Sequence, residues 1–220
     1  LAVGNYGSSP SVWATTDGTT WTRIQVTPSS VPVFGTSLLS VAFSGLDVVV
    51  SGQAGTYYSR NFSDWDISRQ AGLPSVNAVT ECGDYLIACT SQGVFYSVDR
   101  GATWDVTNLH SGNFHGAAYR KANVNTSIAQ VVVAGDTGIF VAFQQKTSLR
   151  LTFSAVSDDP GFMSFGFTGI IRGDGARWFA VGPRGLYYST STLVNGWSRL
   201  YDVPLSTLVS DGQTIIAAGP

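Results

Sequence analysis

The stretch Gly93-Val-Phe-Tyr-Ser97 returns along this chain of 220 residues and decides its fold. Each copy is a glycine, a run of large apolar residues and, in most copies, a serine. The other copies begin at Gly55, at Gly185 and, more loosely, at Gly138, and a copy without glycine begins at Ser11. Successive copies start 44, 38, 45 and 47 residues apart, so the repeat is about 43 residues long. That period is typical of a repeat built from four strands, and about five such units fit in the chain.

The composition favours strands over helices. The strong helix formers are nearly missing, with one Glu, two Lys and one Met, whereas Gly alone accounts for 25 residues. Aromatic, β-branched and small polar residues fill the remaining positions, and these favour strands and tight turns. We therefore predict an all-β protein.

Charge and residue patterns predict neither a nucleic-acid partner, nor a membrane span, nor a cofactor. The net charge is −2 and the ten arginines are scattered, so no basic cluster predicts a nucleic-acid partner. No apolar run reaches the length of a membrane span, and no pattern predicts a cofactor. The chain starts with Leu1 and carries no signal-peptide pattern, so we expect either that a leader was removed or that the chain is a piece of a longer protein. An extracellular or virion-associated location is favoured.

Turn signals rich in Gly, Asp, Ser and Pro divide each unit into four predicted strands. The second to fifth units give these strands in order: Leu39–Phe43, Asp47–Ser51, Thr56–Arg60 and Asp64–Ile67; Asn77–Thr80, Tyr85–Cys89, Val94–Val98 and Thr103–Val106; Gly116–Arg120, Ala129–Ala134, Ile139–Phe143 and Leu149–Phe153; Gly169–Arg172, Trp178–Val181, Leu186–Thr190 and Trp197–Tyr201.

The two ends of the chain each supply part of a unit. Leu205–Val209 and Thr214–Ala218 are a predicted first and second strand, and Val12–Thr16 and Trp21–Val26 are a predicted third and fourth strand. Joining them closes a ring and hides sheet edges, so we predict a single domain, residues 1–220, that is a five-bladed β-propeller of four-stranded antiparallel blades, its closing blade shared by the N- and C-termini. Leu1–Gly4 competes for the second-strand position, which leaves two alternatives: an extra strand in that blade, or a fragment of a larger propeller.

Both cysteines are expected to be free thiols. Cys82 and Cys89 flank a predicted hairpin turn at Gly83-Asp84. If Cys82 faces Tyr85 across the turn, Cys89 lies four residues along the second strand, or roughly 13 Å away at ~3.3 Å per residue. That separation is too long for a disulfide.

The turn before the fourth strand carries a recognisable motif. Ser97–Trp104 fits Ser-x-Asp-x-Gly-x-x-Trp, and Thr15–Trp21 fits it with one residue fewer. Ser59–Trp65 and Ser189–Trp197 are degenerate forms, and in the fourth unit Leu151 stands near the tryptophan position. Along its whole length the chain therefore resembles Asp-box (BNR-repeat) β-propellers, the repeat best known from sialidases.

The resemblance implies a structural role for the box. Its Asp caps backbone N–H groups of its own turn, its Gly takes a positive φ, and its Trp packs against the neighbouring sheet. In the family the boxes lie on the face opposite the usual binding site. The residues to which we assign this structural role are Asp17, Gly18, Trp21, Trp65, Asp99, Gly101, Trp104 and Trp197.

The sialidase catalytic set is not matched. The resemblance would require an arginine triad, a Tyr–Glu nucleophile pair and an acidic Asp, but Glu81 is the sole glutamate and lies at a first-to-second strand turn, away from the expected pocket. Other glycosidases need two carboxyl groups across a cleft, and Asp158 and Asp159 are adjacent in sequence. His110 and His115 have no third metal ligand at useful spacing. We predict no catalytic residues and no metal.

Recognition of a glycan or a protein partner remains the favoured function. Three long loops, Thr27–Leu38, Thr107–His115 and Ser154–Phe167, are expected on one propeller face. Their exposed aromatic and polar side chains would suit sugar stacking or a protein interface. The candidate ligand-binding residues are Phe34, His110, Phe114, His115, Phe162, Phe165 and Arg184.

Other interpretations stay open. Phe162, Met163, Phe165 and Phe167 could instead plug the channel of a small ring. The favoured module would be a lectin-like protein or a phage or particle head domain, possibly part of a larger assembly. The alternatives are a glycoside hydrolase-type enzyme and a fragment of a larger Asp-box propeller. A second similarity is to the photosystem II assembly factors, propellers that bind proteins but have seven blades and a basic patch.

Overall fold

The computed structural model describes residues 1–6, 9–24, 37–62, 64–67, 73–122, 129–144, 150–157, 159–173, 177–191, 195–210 and 213–219. The chain divides into two compact units, Leu1–Val106 and Thr107–Pro220. A single domain over residues 1–220 stays a prediction.

The first unit holds three antiparallel sheets, which we number in chain order. Sheet one has the order β1-β2-β3, sheet two β4-β5-β6-β7 and sheet three β8-β9-β10-β11. The strands are β1 Ala2–Tyr6, β2 Ser9–Ala14, β3 Thr22–Ile24, β4 Leu38–Ser44, β5 Asp47–Gly52, β6 Gly55–Ser59, β7 Asp66–Ile67, β8 Val76–Cys82, β9 Tyr85–Thr90, β10 Gly93–Ser97 and β11 Asp105–Val106.

The second unit continues the repeat. Sheet four has the order β12-β13-β14-β15, sheet five β16-β17-β18-β19, and β20 pairs with β21 in a C-terminal sheet. The elements are β12 Phe114–Arg120, β13 Ala129–Gly135, β14 Gly138–Gln144, β15 Phe153–Ala155, α1 Pro160–Met163, β16 Gly169–Arg172, β17 Trp178–Gly182, β18 Gly185–Ser189, β19 Ser198–Tyr201, β20 Thr207–Ser210 and β21 Ile215–Ala218. Within the described ranges, no helix has the length and apolarity that crossing a membrane requires.

The apolar second strand of each four-stranded sheet is its most protected element. β5, β9, β13 and β17 are buried along their whole length. Each lies between two other strands, and clusters of apolar side chains pack successive sheets against each other within a unit. Val49, Val79, Leu86 and Trp104 form such a cluster between sheets two and three, and burial of apolar area of this kind is the main favourable term in folding.

The all-β prediction and the antiparallel four-stranded sheets are confirmed, and strand bounds agree within a few residues in sheets two, three and five. In sheet four the last strand is β15, Phe153–Ala155, rather than Leu149–Phe153. The reason is an amide clamp: Phe153 N donates to Asn108 Oδ1 at 2.7 Å, and Asn108 Nδ2 donates to the Phe153 carbonyl at 2.8 Å. Helix α1 was not predicted.

The chain ends differ from the shared blade that the sequence predicts. β1 pairs with β2 in the register Ala2↔Trp13 to Tyr6↔Ser9, so the second-strand position beside β2 is occupied by the N-terminal segment itself. β20 and β21 form a sheet of their own. The competing segment Leu1–Gly4 was the signal for this outcome, because its apolar residues fit a strand as well as Thr214–Ala218 does.

The two cysteines are free and buried. Cys82 is paired with Tyr85 across the β8–β9 turn, as predicted, and Cys89 lies further along β9. Burial raises the pKa of the Cys89 thiol to about 12, and burial together with the nearby Cys89 and Glu81 raises the pKa of Cys82.

Candidate functional site

Strand register defines two ends in sheets four and five. At one end Phe114 pairs with Gly135 and Gly169 pairs with Val181. The segments 107–113, 156–168 and 202–206 adjoin this end, which we call the loop end. At the other, the hairpin end, Arg120 pairs with Gln130 and Arg172 pairs with Trp178.

A polar cluster of Asn113, His115 and Asp136 lies at the loop end of sheet four. His115 Nε2 is 2.8 Å from Asp136 Oδ1, and Asn113 Nδ2 donates to Asp136 Oδ2 at 3.1 Å. Partial burial opposes ionisation of Asp136, but the hydrogen bonds from His115 and Asn113 outweigh it and lower the pKa of this carboxyl. The cluster therefore presents a carboxylate at neutral pH.

The backbone that carries this cluster is held by a close approach between the β13–β14 turn and the Asn113 carbonyl. Asp136 N donates to the Asn113 carbonyl at 2.9 Å. A Cβ placed on Gly135 would lie 2.3 Å from that same carbonyl oxygen, so the position needs glycine. The β13–β14 turn, Gly135-Asp136-Thr137-Gly138, thus places the Asp136 carboxylate beside His115.

His110 lies on the exposed part of the neighbouring segment. Its Nδ1 is 3.0 Å from the carbonyl oxygen of Asn108, the residue whose side chain holds Phe153. Leu109 N also donates to Thr107 Oγ1 at 3.1 Å. Two hydrogen bonds between Asn108 and Phe153 therefore tie the segment to sheet four, and the local bonds order the segment itself.

The segment before β16 is built around α1 and an aromatic cluster. Asp159 caps α1 by accepting from Gly161 N at 2.8 Å. Phe162 is 8% exposed and lies 5.2–6.1 Å, centroid to centroid, from Phe165, Phe167, Tyr187 and Trp197. The cluster packs with the core that joins sheets four and five.

Arg184 completes the loop end of sheet five. It is exposed in the β17–β18 turn, and its Cζ lies 4.8 Å from the centroid of the Phe165 ring. Tyr187 Oη donates to the Arg184 carbonyl at 3.3 Å, which fixes the turn. Stacking on an aromatic face orients a guanidinium while leaving its N–H donors available.

The predicted ligand-binding residues divide into three groups. His110, His115, Phe165 and Arg184 lie at the loop end with at least part of their surface exposed. Phe114 is 0% exposed and packs edge-on against Phe140, and Phe162 is in the aromatic cluster, so both rings serve the core rather than solvent. Phe34 lies outside the described residues. Phe162 and Phe167 are buried in the core between sheets four and five, so these two rings do not form an exposed stacking surface. The plugging of a channel stays a prediction.

The carboxylates considered for catalysis have other positions. Asp159 caps α1, Asp158 lies outside the described residues, and Glu81 is exposed opposite Leu86 in sheet three. Across the described ranges no three His, Cys, Asp or Glu side chains are grouped as metal ligands.

The two turns that best match the predicted Asp-box motif share one geometry. Asp17 Oδ1 accepts from Thr19 N at 2.8 Å and Thr20 N at 2.7 Å. Asp99 Oδ1 accepts from Thr103 N at 2.8 Å and from Ser97 Oγ at 2.8 Å. These turns join the last two strands of their sheets, at the end that corresponds to the hairpin end of sheets four and five. Their aspartate side chains accept hydrogen bonds from the backbone of their own turn.

The degenerate boxes keep parts of this geometry. Asn61 replaces the aspartate, and its Oδ1 accepts from Asp64 N at 2.8 Å. Ser189 Oγ donates to the Asn195 carbonyl. Trp65 and Trp104 are 2% and 3% exposed, Trp197 is half-buried against Phe162, and Trp21 is 44% exposed.

Sequence analysis did not identify two loop-end residues as candidates for the site. From the sequence, Asp136 and Asn113 are only turn and loop residues. A signal was available in the sequence, because Gly135-Asp136-Thr137-Gly138 and Gly182-Pro183-Arg184-Gly185 are the same Gly-x-x-Gly turn in successive repeats. The two turns occupy equivalent positions in sheets four and five and carry opposite charges.

Comparison with solved structures identifies the fold of the chain. No protein-family model matches the chain, and no curated protein does. Among solved structures, YCF48 bound to D1 peptide is similar at 14% identity and a TM-score of 0.61, over 96% of this chain and 69% of the other. The computationally designed Ika8 protein is 14% identical with a TM-score of 0.64, over 98% and 64%.

An ancestral GH74 enzyme is similar at 14% identity and a TM-score of 0.59, over 82% of this chain but 27% of the enzyme. The chain thus spans about two thirds of the first two proteins and about a quarter of the third. Likenesses at this identity establish the fold alone. The protein has a β-propeller fold.

Proposed function

We propose that the protein is a non-catalytic recognition module that binds a protein segment or a glycan through the loop end of sheets four and five. Two observations at the loop end carry the proposal: Arg184 is stacked on Phe165 in sheet five, and the Asp136 carboxylate is hydrogen-bonded to His115 in sheet four. Arg184 is exposed and oriented by Phe165, while Asp136 is held ionised by its neighbours. Such a surface offers fixed donors and a fixed acceptor to a ligand.

A protein segment is the better match of the two partners. A guanidinium with free N–H donors binds a carboxylate or backbone carbonyl, and Asp136 accepts from a backbone N–H. A sugar would need an exposed aromatic face, and the Phe165 ring is already covered by Arg184. A related fold is seen in YCF48 bound to D1 peptide, which supports a peptide partner by analogy.

The test uses panels of glycans and of 12-residue peptides, probed with the purified chain and with its Arg184→Gln variant. Loss of one charge-assisted hydrogen bond is worth about 1.5–3 kcal/mol, so bound peptides should weaken by roughly 10- to 100-fold. Arg60→Gln is the matched control, because Arg60 is also exposed but lies in the first unit. Equal binding by both variants would remove the loop end from the proposal.

A second part of the experiment distinguishes a glycan-binding module from an enzyme. Hits confined to the glycan panel and lost on Arg184→Gln would select the lectin-like form of the module. Turnover of a chromogenic glycoside panel, stopped by Asp136→Asn or Asp158→Asn, would replace the proposal by the glycoside hydrolase alternative. The GH74 similarity is the reason for including this arm.

We also propose five blades, with the terminal strands completing one blade that holds an extra strand, β1. Paired cysteines introduced in β1 and β21 should cross-link under oxidation if this blade forms. No cross-link, together with a longer natural polypeptide, would favour the fragment of a larger propeller. An extracellular or particle-borne setting, as part of a larger assembly, fits a chain with two lysines and one glutamate.

A further inference from the structure

The tryptophan that ends the predicted Asp-box motif packs toward the preceding sheet of the first unit. Trp104 of sheet three lies in the cluster that contains Val49 of sheet two, and Trp65 of sheet two lies in the cluster that contains Val12 of sheet one. Both indoles are buried. The motif of one sheet therefore supplies an indole to the interface with the sheet before it.

Trp21 has the same position in sheet one, the first sheet of its unit, and it is 44% exposed. The strands that follow and precede it present a face to solvent. Trp13 pairs with Arg23, whereas their neighbours Val12 and Ile24 pack toward sheet two. Adjacent residues of a strand point to opposite faces, so Trp13 and Arg23 lie on the outward face of sheet one. In the described part of the first unit no other sheet covers this face.

An apolar groove of about 360 Å³ lies in the second unit, between sheet five and strand β21. Its lining includes Phe179 of β17, Leu200 and Tyr201 of β19, and Ile215 of β21. Leu200 and Tyr201 are 49% and 61% exposed, so the groove is open to solvent. A cavity of ~150 Å³ already holds benzene, and this groove has room for an indole.

The groove corresponds to the surface of sheet two that Trp104 covers. In β5 Val49 pairs with Tyr58, and in β17 Phe179 pairs with Tyr188. Val49 and Phe179 each lie three residues before the glycine that ends the strand. The sheet after sheet two has four strands and supplies Trp104, whereas the described sheet after sheet five has two strands, β20 and β21, and no motif tryptophan.

A second copy of the chain can supply this indole, because each copy offers one open groove and one exposed Trp21. The charges of the two units are complementary. Residues 1–106 carry four Arg or Lys against eight acidic residues, a net charge of −4, and residues 107–220 carry eight against six, a net charge of +2. The first unit of one copy is therefore attracted to the second unit of another. The groove also continues an existing apolar interface, in which Phe179 and Leu186 pack with Leu208.

We propose that the groove of sheet five binds Trp21 of a second copy of this chain, so that the N-terminal sheet of one copy completes the C-terminal blade of the next. The proposal rests on the closing blade proposed above and names the chain that supplies its missing strands. Aromatic side chains in desolvated pockets dominate the affinity of protein interfaces. A head-to-tail contact of this kind continues beyond a dimer unless the copies close a ring.

The first experiment measures self-association of the whole chain by sedimentation velocity over a range of concentrations. We expect oligomers that increase with concentration, and Trp21→Ala should weaken the association roughly 30-fold. Leu200→Glu places a charge in the groove and should weaken it at least as much. Ile67→Ala removes a similarly exposed apolar side chain of sheet two and is the control, which should associate as the unmodified chain does. A monomer at every concentration, or undiminished association of Trp21→Ala and Leu200→Glu, would overturn the proposal.

A second experiment identifies the chain that supplies the indole. Chains with Trp21→Cys are mixed with chains with Leu200→Cys and oxidised, while the native Cys82 and Cys89 are buried. We expect a cross-linked pair of chains on a non-reducing gel, and covalent oligomers from the doubly substituted chain. A disulfide within one doubly substituted chain would overturn the proposal but keep the closing blade. Without any β1–β21 cross-link the closing blade itself falls, so the two failures are distinguishable.

Discussion

The turns Thr15–Trp21 and Ser97–Trp104 share the Asp, Gly, Thr and Trp of the predicted Asp-box motif but have very different surroundings. In both, the aspartate accepts from backbone N–H groups three or four residues on, and the glycine has a positive φ, 74° at Gly18 and 91° at Gly101. Yet Trp21 is 44% exposed and Trp104 is 3% exposed. The motif therefore sets the turn, whereas the neighbouring sheet determines how much the turn stabilises the fold.

The cause of the difference is local packing. Trp104 belongs to the cluster that joins sheets two and three, with Val49 and Leu86 among its members. A Cβ at Gly101 would lie 2.7 Å from Val49 Cγ2, while a Cβ at Gly18 would meet no atom of the described residues within 4 Å. The turn Ser97–Trp104 is therefore enclosed by neighbouring side chains, whereas the turn Thr15–Trp21 is exposed.

The largest expected effect separates the two tryptophans. Trp104→Ala should cost about 3–5 kcal/mol of unfolding free energy, because it leaves a large cavity in a packed cluster. Trp21→Ala should cost about 1 kcal/mol or less, since much of its ring is already in water. Urea unfolding followed by circular dichroism measures both. Equal losses would mean that burial does not distinguish the boxes.

A smaller effect is expected at the two glycines. Alanine at either position has a strained positive φ, which costs about 1–2 kcal/mol. At Gly101 the contact with Val49 adds overpacking of about 1–3 kcal/mol. Gly101→Ala should therefore lower the thermal midpoint clearly more than Gly18→Ala in calorimetry. The comparison fails if Gly18→Ala is the more damaging change.

The smallest effect concerns acid. Partial burial opposes ionisation of Asp99, but hydrogen bonds from Thr103 and Ser97 prevail and lower its pKa. A lowered folded-state pKa gives stability that is present above the unfolded value, near pH 4, and is lost as pH falls through the folded value. Asp99→Asn should flatten the decline of the unfolding free energy below about pH 4, measured by urea unfolding, by less than about 1 kcal/mol because water screens this carboxylate.

Asp17 provides a matched comparison for that titration. Hydrogen bonds from Thr20, Thr19 and Thr15 hold its pKa well below the usual range. Asp17→Asn should therefore also flatten the decline that begins near the unfolded value of about pH 4, and the flattening should extend to lower pH than in Asp99→Asn because the folded-state pKa of Asp17 is lowered further. A steeper decline in either variant would contradict the expected direction of both pKa shifts.

Local signals in the sequence predicted most of the strands. Turn residues such as Gly83-Asp84 and the Gly-aromatic-Ser strands fix hairpins without help from distant residues, and the paired Cys82 and Tyr85 follow from that turn. β15 was misplaced because its position depends on Asn108, a contact 45 residues away. Tertiary hydrogen bonds of this kind leave no periodic trace in a single sequence.

Exposure at the candidate site was harder to predict than its location. The long segments around His110 and Phe165 do lie at the loop end, but Phe162 is buried where sheets four and five pack together, and Phe114 is buried against Phe140 within sheet four. Aromatic content alone does not tell a ligand platform from a core.

The buried thiols of sheet three give the protein an internal reporter. Cys82 and Cys89 are both shielded, and their raised pKa values leave almost no thiolate at neutral pH. Since the thiolate is the species that reacts, an alkylating reagent should modify the native chain only when this sheet opens. The rate of alkylation then reads out the opening of β8 and β9 without any introduced label.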